Sequence, residues 1–184
     1  MNLANQITIG RILLVPFFVI AVVYCRPDFP QIKWLAIALF VVASLTDAVD
    51  GYLARIRKQQ TALGSFLDPF ADKLLLIAAF ISLNFSDGFT HKISRWILIV
   101  IISREVILIS GLLILFISLR EVKIQPSWLG KLTTVAQMVT VAMMMFELRW
   151  VNASALVSAL LTIFSGFGYI LREMRRDNHA VSAP

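Results

Sequence analysis

Asp47, Asp50, Asp68 and Asp72 fall within one short stretch, DAVDGYLARIRKQQTALGSFLDPFAD, and apolar residues flank it on both sides. Spacings of three and four put each pair on one face of an α-helix. A tight turn between two such helices brings the faces together. An unpaired carboxylate costs about 2.5–3.5 kcal/mol at the middle of a bilayer and less near its surface, and four close anions also repel one another. Lys73 and Arg55 are too few to neutralise four anions. A divalent ion supplies the missing charge. The cluster holds no His or Cys, so its ligands are all oxygen, which points to Mg²⁺ or Mn²⁺ rather than zinc. Two other readings compete: helix-capping aspartates paired with Arg or Lys, and a carboxylate path for ions or protons. A metal site for phosphate chemistry accounts for more of the surrounding residues. Gly51 and Ala54 keep a helix face open to a bulky ligand, Gly64 allows close approach where the chain re-enters the membrane, and Arg55 can pair with a diphosphate in bidentate fashion.

The elements that must position these residues are legible as apolar runs. The chain has 184 residues, 59% hydrophobic and 15% charged, against about 25% charged in a soluble domain. Six apolar blocks cover residues 7–25, 34–54, 66–85, 96–119, 129–148 and 151–171, each near the roughly 20 residues that span a hydrocarbon core. The expectation is an all-α integral membrane protein of six transmembrane helices, forming a single domain over residues 1–184. The first block begins like a signal peptide, but no small-x-small site precedes RPDFP, so it is read as a retained helix. Trp34, Trp96, Trp128 and Trp150 sit at block edges, where an indole bridges lipid and headgroup. Pro16 is expected to kink the first helix. Pro69 either turns Asp68 away from α geometry or marks a helix's first turn. A very short turn, RWVN, joins the last two blocks. Met143, Met144 and Met145 read as packing, and Cys25, the only cysteine, as a small apolar residue.

The net charge of +6 flanks membrane spans, so anionic headgroups rather than nucleic acid are the expected partner. With the N-terminus inside, ten Lys and Arg, among them Arg11 early in the first apolar run, fall in inside segments and five in outside loops. Both termini and RIRKQQ are then cytoplasmic, and the metal site lies at the cytoplasmic ends of helices two and three.

The stretch resembles the CDP-alcohol phosphatidyltransferase family. It matches the pattern D-x-x-D-G-x-x-A-R-x(8)-G-x-x-x-D-x-x-x-D at every fixed position, and the six-helix layout extends the likeness over nearly the whole chain. The resemblance implies that an alcohol attacks the β-phosphorus of CDP-diacylglycerol and that CMP leaves. It implies two divalent ions, Mg²⁺ or Mn²⁺, on Asp47, Asp50, Asp68 and Asp72, with Asp72 also taking the attacking hydroxyl's proton. It places Gly51, Ala54, Arg55, Thr61 and Gly64 along the CDP moiety. The implied location is the inner (cytoplasmic) membrane of a bacterium, with a homodimer as an allowed assembly.

The acceptor rests on two further segments. IISREVILISG carries Arg104 and Glu105, and PSWLGKLTTVAQM carries Lys131. In one reading Arg104 pairs structurally with Glu105 or an aspartate and Lys131 snorkels. In the other, Arg104 and Lys131 hold the acceptor's phosphate. Both segments resemble the branch of the family that uses sn-glycerol 3-phosphate and forms phosphatidylglycerophosphate. They depart from it in SGLLIL, which lacks an Arg after Gly-Leu, and at Thr133, where a second Lys is usual. The departures lean toward the CDP-diacylglycerol-dependent cardiolipin synthases, whose acceptor is phosphatidylglycerol. Glycerol 3-phosphate is the first expectation, phosphatidylglycerol the second, and inositol phosphate or serine follow. A carboxylate-lined transporter is the non-enzymatic alternative.

Overall fold

In lipid every backbone N–H and C=O must find its partner inside the protein, and a helix does this within one segment. The computed structural model describes residues 3–26, 28–57, 62–117 and 128–181, with side chains described outside residues 3–5, 47–57, 62–66, 68, 115–116 and 167–181. Those residues form six helices and no strands: α1 (Leu3–Val23), α2 (Pro30–Arg57), α3 (Ala62–Phe85), α4 (Arg95–Ile117), α5 (Trp128–Met145) and α6 (Val151–Val181). One helix forms for each apolar block. α1 and α4 contain stretches long and apolar enough to cross a membrane, Gln6–Val23 and Arg95–Ile114, and α2 and α6 contain shorter apolar stretches. The outer faces are apolar as well. Leu13, Phe17, Ile107, Ile114 and Phe164 are all at least 60% exposed, which on a water-facing surface would be an aggregation liability. The four tryptophans are exposed near helix ends.

Several boundaries differ from the sequence expectation, and α6 runs ten residues past its apolar block. α3 begins at Ala62, so Pro69 lies inside the helix. It neither marks a first turn nor ends the α geometry at Asp68; its cost is the one N–H it cannot give to the carbonyl four residues back. α1 likewise carries a proline, Pro16, within its length. α5 stops at Met145, and the connection to α6 is residues 146–150 rather than RWVN. Leu148 N–H donates to the Met143 carbonyl and Glu147 N–H to that of Met144, at 2.9 and 3.2 Å. This is the six-to-one and five-to-two pattern of a Schellman cap. Glu147 takes the left-handed position, φ 53°, that glycine usually fills.

α1 packs on α2 and α3, α5 packs on α6, and α3 also reaches α4 and α5. α3 is therefore the hub, and Ala71, Leu75, Leu76, Ala79, Phe80 and Leu83 are buried along it. Between α5 and α6 the contact is a polar seam. Thr140 Oγ1 lies 2.6 Å from Ser154 Oγ and 2.9 Å from Ser158 Oγ, and Gln137 Nε2 donates to Thr162 Oγ1 at 3.5 Å. Small hydroxyls let two helices approach and hydrogen-bond where lipid offers no partner. Thr133 and Gln137, read from sequence only as part of an acceptor segment, are fully buried in this seam.

The three connections α1/α2, α3/α4 and α5/α6 meet at one end of the bundle. Lys33 Nζ reaches Glu147 Oε2 at 2.5 Å, and the backbone N–H and hydroxyl of Thr90 donate to Glu147 Oε1 at 2.9 and 2.7 Å. Ser86 Oγ donates to the Val22 carbonyl at 2.7 Å. Gly88 lies so close to Cys25 that an added Cβ would sit 2.3 Å from the Cys25 carbonyl oxygen. With these ends of the helices gathered there, residues 47–57 of α2 and 62–72 of α3 lie toward the opposite end.

Candidate functional site

α2 is helical throughout residues 47–57 and α3 throughout 62–72. The register therefore holds: Asp47 and Asp50 share one face of α2, and Asp68 and Asp72 one face of α3. Of the residues expected to bind metal or nucleotide, the side chains of Asp47, Asp50, Gly51, Ala54, Arg55, Gly64 and Asp68 lie outside the described set, as does all of Thr61. No cluster of three metal-ligating side chains occurs among the described residues.

Asp72 is described, and one of its partners is a residue that in the sequence served only to orient the chain. Arg11 Nη1, from α1, donates to Asp72 Oδ1 at 2.9 Å. Arg11 is 1% exposed. It lies on the buried face of α1 with Thr8, Phe18 and Val22, so its guanidinium is turned into the bundle and not out to a headgroup. Thr8 and Arg11 sit three apart, as helical faces require.

Lys73, counted from sequence as a cation near the aspartates, turns elsewhere. Successive helical side chains diverge by about 100°, and Lys73 Nζ reaches Glu105 Oε2 on α4 at 2.7 Å. Arg104 Nη1 donates to Glu105 Oε1 at 2.5 Å. Glu105 is fully buried and both cations are mostly so. A lone buried carboxylate would be costly, and two cations with hydrogen-bonding geometry offset that cost. Lys73 Nζ also donates to Thr134 Oγ1 on α5 at 3.4 Å. The group Lys73–Glu105–Arg104 thus joins three helices and carries one net positive charge, directly beside the aspartate motif.

The two cations expected at the acceptor's phosphate fare differently. Arg104 is brought into this group, paired with Glu105 as the structural reading had it. Lys131 sits in the first turn of α5, exposed, three residues before Thr134, and no hydrogen bond or ion pair ties it to another described residue. The sequence signal for Lys73 and Glu105 was only their charge inside apolar blocks. For Arg11 it was a single cation early in an apolar run.

The donor set suits a hard divalent cation. It offers carboxylates alone, two pairs in helical register on two helices, with one member, Asp72, already held by a buried cation. Such an ion would be held by Asp47, Asp50, Asp68 and Asp72.

Comparison with known proteins agrees with the motif. The profile of the CDP-alcohol phosphatidyltransferase family matches residues 1–166. The chain is 38% identical over 178 residues to a CDP-diacylglycerol–glycerol-3-phosphate 3-phosphatidyltransferase of Haemophilus influenzae, covering 92% of this chain and 91% of that one. It is 36% identical over 185 residues to the protein of the same name in Bacillus subtilis, covering 91% and 93%. It is 33% identical over 180 residues to a probable phosphatidylglycerophosphate synthase of Mycobacterium tuberculosis, covering 95% and 82%.

Proposed function

This chain belongs to the CDP-alcohol phosphatidyltransferase family, and from that membership we propose that it transfers a phosphatidyl group from CDP-diacylglycerol to sn-glycerol 3-phosphate, releasing CMP and forming phosphatidylglycerophosphate. The observation that carries the acceptor is the net-positive group Lys73–Glu105–Arg104, whose Lys73 directly follows Asp72 on α3. A phosphomonoester dianion is drawn to an excess of positive charge in a poorly solvated site. The names of the relatives support the same acceptor over phosphatidylglycerol, inositol phosphate or serine.

Each residue has a role in this reading. Gly51, Ala54, Arg55, Thr61 and Gly64 line the CDP moiety: the small residues allow close approach and Arg55 pairs with the diphosphate. Asp47, Asp50, Asp68 and Asp72 hold two divalent ions, Mg²⁺ or Mn²⁺, which supply charge neutralisation of the diphosphate and of the departing CMP. Arg104, with Lys131 at the mouth, orients the acceptor's phosphate. Asp72 accepts the proton of the acceptor's hydroxyl as its oxygen bonds to the β-phosphorus and the bond to CMP breaks. The chain forms one domain of six transmembrane helices in the cytoplasmic membrane, with both termini and the aspartate end on the cytoplasmic side. That side is where water-soluble glycerol 3-phosphate and CMP enter and leave.

The test is the purified chain with CDP-diacylglycerol and each acceptor in turn, products resolved by lipid chromatography. Phosphatidylglycerophosphate should form with Mg²⁺ or Mn²⁺, and not in excess chelator or with Asp47→Asn. Cardiolipin from phosphatidylglycerol, with no product from glycerol 3-phosphate, would transfer the assignment to the other branch. Turnover undiminished by chelator would remove the metal reading.

A further inference from the structure

We propose that Arg11 is a positioning residue for Asp72: its buried guanidinium, delivered from α1, fixes the carboxylate in the orientation from which it takes the acceptor's proton. The inference rests on the role given to Asp72 above.

Three observations lead to it. Arg11 lies outside the aspartate motif, 61 residues from its partner, yet Nη1 meets Asp72 Oδ1 at 2.9 Å. An arginine in an apolar helix ordinarily runs its stem along the apolar surface and places its head in water or among headgroups. Arg11 does not; it is 1% exposed, in line with Thr8 and Phe18 on the face that packs inward. The cation next to Asp72 in sequence cannot perform the task, because Lys73 is committed to Glu105 in another direction. α1 packs on both α2 and α3, so a side chain from α1 can brace an aspartate of the motif from a third helix.

The chemistry explains why an arginine stands here. A planar guanidinium carries its donors in a fixed fork, whereas an ammonium is a point charge on a flexible stem. Arg11 can therefore set the direction of a carboxylate as well as offset its charge. Proton abstraction depends on that direction, since small misplacements of a reacting group are costly in rate. Binding of a divalent ion depends on it less. Removing a nearby positive charge does not in itself weaken the attraction of carboxylates for a cation.

The experiment uses the full chain, purified in detergent, as wild type, Arg11→Gln and Arg11→Lys. Mn²⁺ binding to the protein without lipid substrate is followed by electron paramagnetic resonance, and CMP release from CDP-diacylglycerol and glycerol 3-phosphate is followed separately. Arg11→Gln should lower kcat about 10- to 100-fold, the range expected for loss of a hydrogen bond to a charged group. Its Mn²⁺ affinity should be equal or higher and its KM for CDP-diacylglycerol within about threefold, a range we set below the loss in kcat. Arg11→Lys should recover part of kcat. A kcat of Arg11→Gln equal to wild type overturns the proposal. So does a loss of Mn²⁺ sites in step with activity, which makes Arg11 part of the scaffold. If Arg11→Gln does not fold, Arg11→Lys, which keeps the charge, must still show the reduced kcat with Mn²⁺ binding intact, and full activity there overturns the proposal. Wild type that binds Mn²⁺ but releases no CMP defeats the phosphatidyltransferase reading itself, and the role of Arg11 with it; active wild type beside equally active variants defeats only the latter.

Discussion

Replacing Glu147 with Gln removes one charge from the junction of three helix connections and should destabilise the protein in a pH-dependent way. Glu147 accepts from Lys33 and twice from Thr90, and these bonds hold its carboxyl down at about 2 from an ordinary 4.5, the Lys33 hydrogen bond contributing most. At about 1.4 kcal/mol per pH unit the displacement corresponds to about 3 kcal/mol. The side chain is 28% exposed, and solvent screening reduces the expected effect to about 1–2 kcal/mol. Because the folded carboxyl titrates below the unfolded one, this stabilisation is complete above about pH 4.5 and is lost as the pH falls toward 2. In a chain of this size 1 kcal/mol moves Tm by about 2–4 °C. Thermal unfolding in detergent, followed by tryptophan fluorescence, should therefore give Glu147→Gln a Tm about 2–8 °C below wild type at pH 7, and the two curves should converge below about pH 3. Glu147→Gly loses the same bonds but relieves a left-handed backbone costing about 1–2 kcal/mol, so it should melt above Glu147→Ala. Equal Tm values for Glu147→Gln and wild type at pH 7, or a difference that persists unchanged to pH 3, would refute the reasoning.

Gly88→Ala drives a methyl group into the Cys25 carbonyl and should cost about 1–3 kcal/mol, read as a fall in Tm with the metal response of activity unchanged. Glu105→Gln leaves Lys73 and Arg104 without their shared buried carboxylate; a loss of about 3–5 kcal/mol is expected, visible in the same melting assay, whereas Lys73→Met with Glu105→Gln should recover part of it. Cysteines placed at Gln59 and Asp87, in a Cys25→Ala background, should react with an impermeant maleimide from opposite sides of the membrane; Asp87 is chosen because its neighbour Ser86 is buried and bonded to Val22. Labelling from one side only would contradict the six-span layout.

The helices were readable because hydropathy is a local property: each of the six blocks became one helix, with ends shifted by at most four residues except in α6, which runs ten residues past its block. The helical placement of the aspartate motif was readable for the same reason, since its spacing falls within two such segments. What escaped was the choice among cations. Lys73 was the obvious neighbour of Asp72 and instead serves Glu105, while Arg11 serves Asp72 from 61 residues away. Charge alone does not say which way a helical side chain points; the packing of α1 and α4 on α3 does. Glu147 escaped because it sat inside an apolar block, where nothing local announced a Schellman cap without glycine or partners 57 and 114 residues earlier. Thr133 and Gln137 were weighed against the acceptor segments of related enzymes, and their burial against α6 emerges only once the hairpin is closed.

The junction held by Glu147 also sets an order on assembly. A chain emerging from the ribosome presents its N-terminal part first, so Lys33 and Thr90 are made well before the carboxylate that joins them. Once α1 to α4 are made, Ser86 can already meet the Val22 carbonyl and join two of the connections, and only the third is missing. The α5–α6 hairpin, matched to itself through the Thr140, Ser154 and Ser158 hydroxyls, arrives last and brings Glu147 with it. A nascent chain arrested before Glu147 therefore has every aspartate of the motif but lacks the carboxylate that ties Lys33 and Thr90 together.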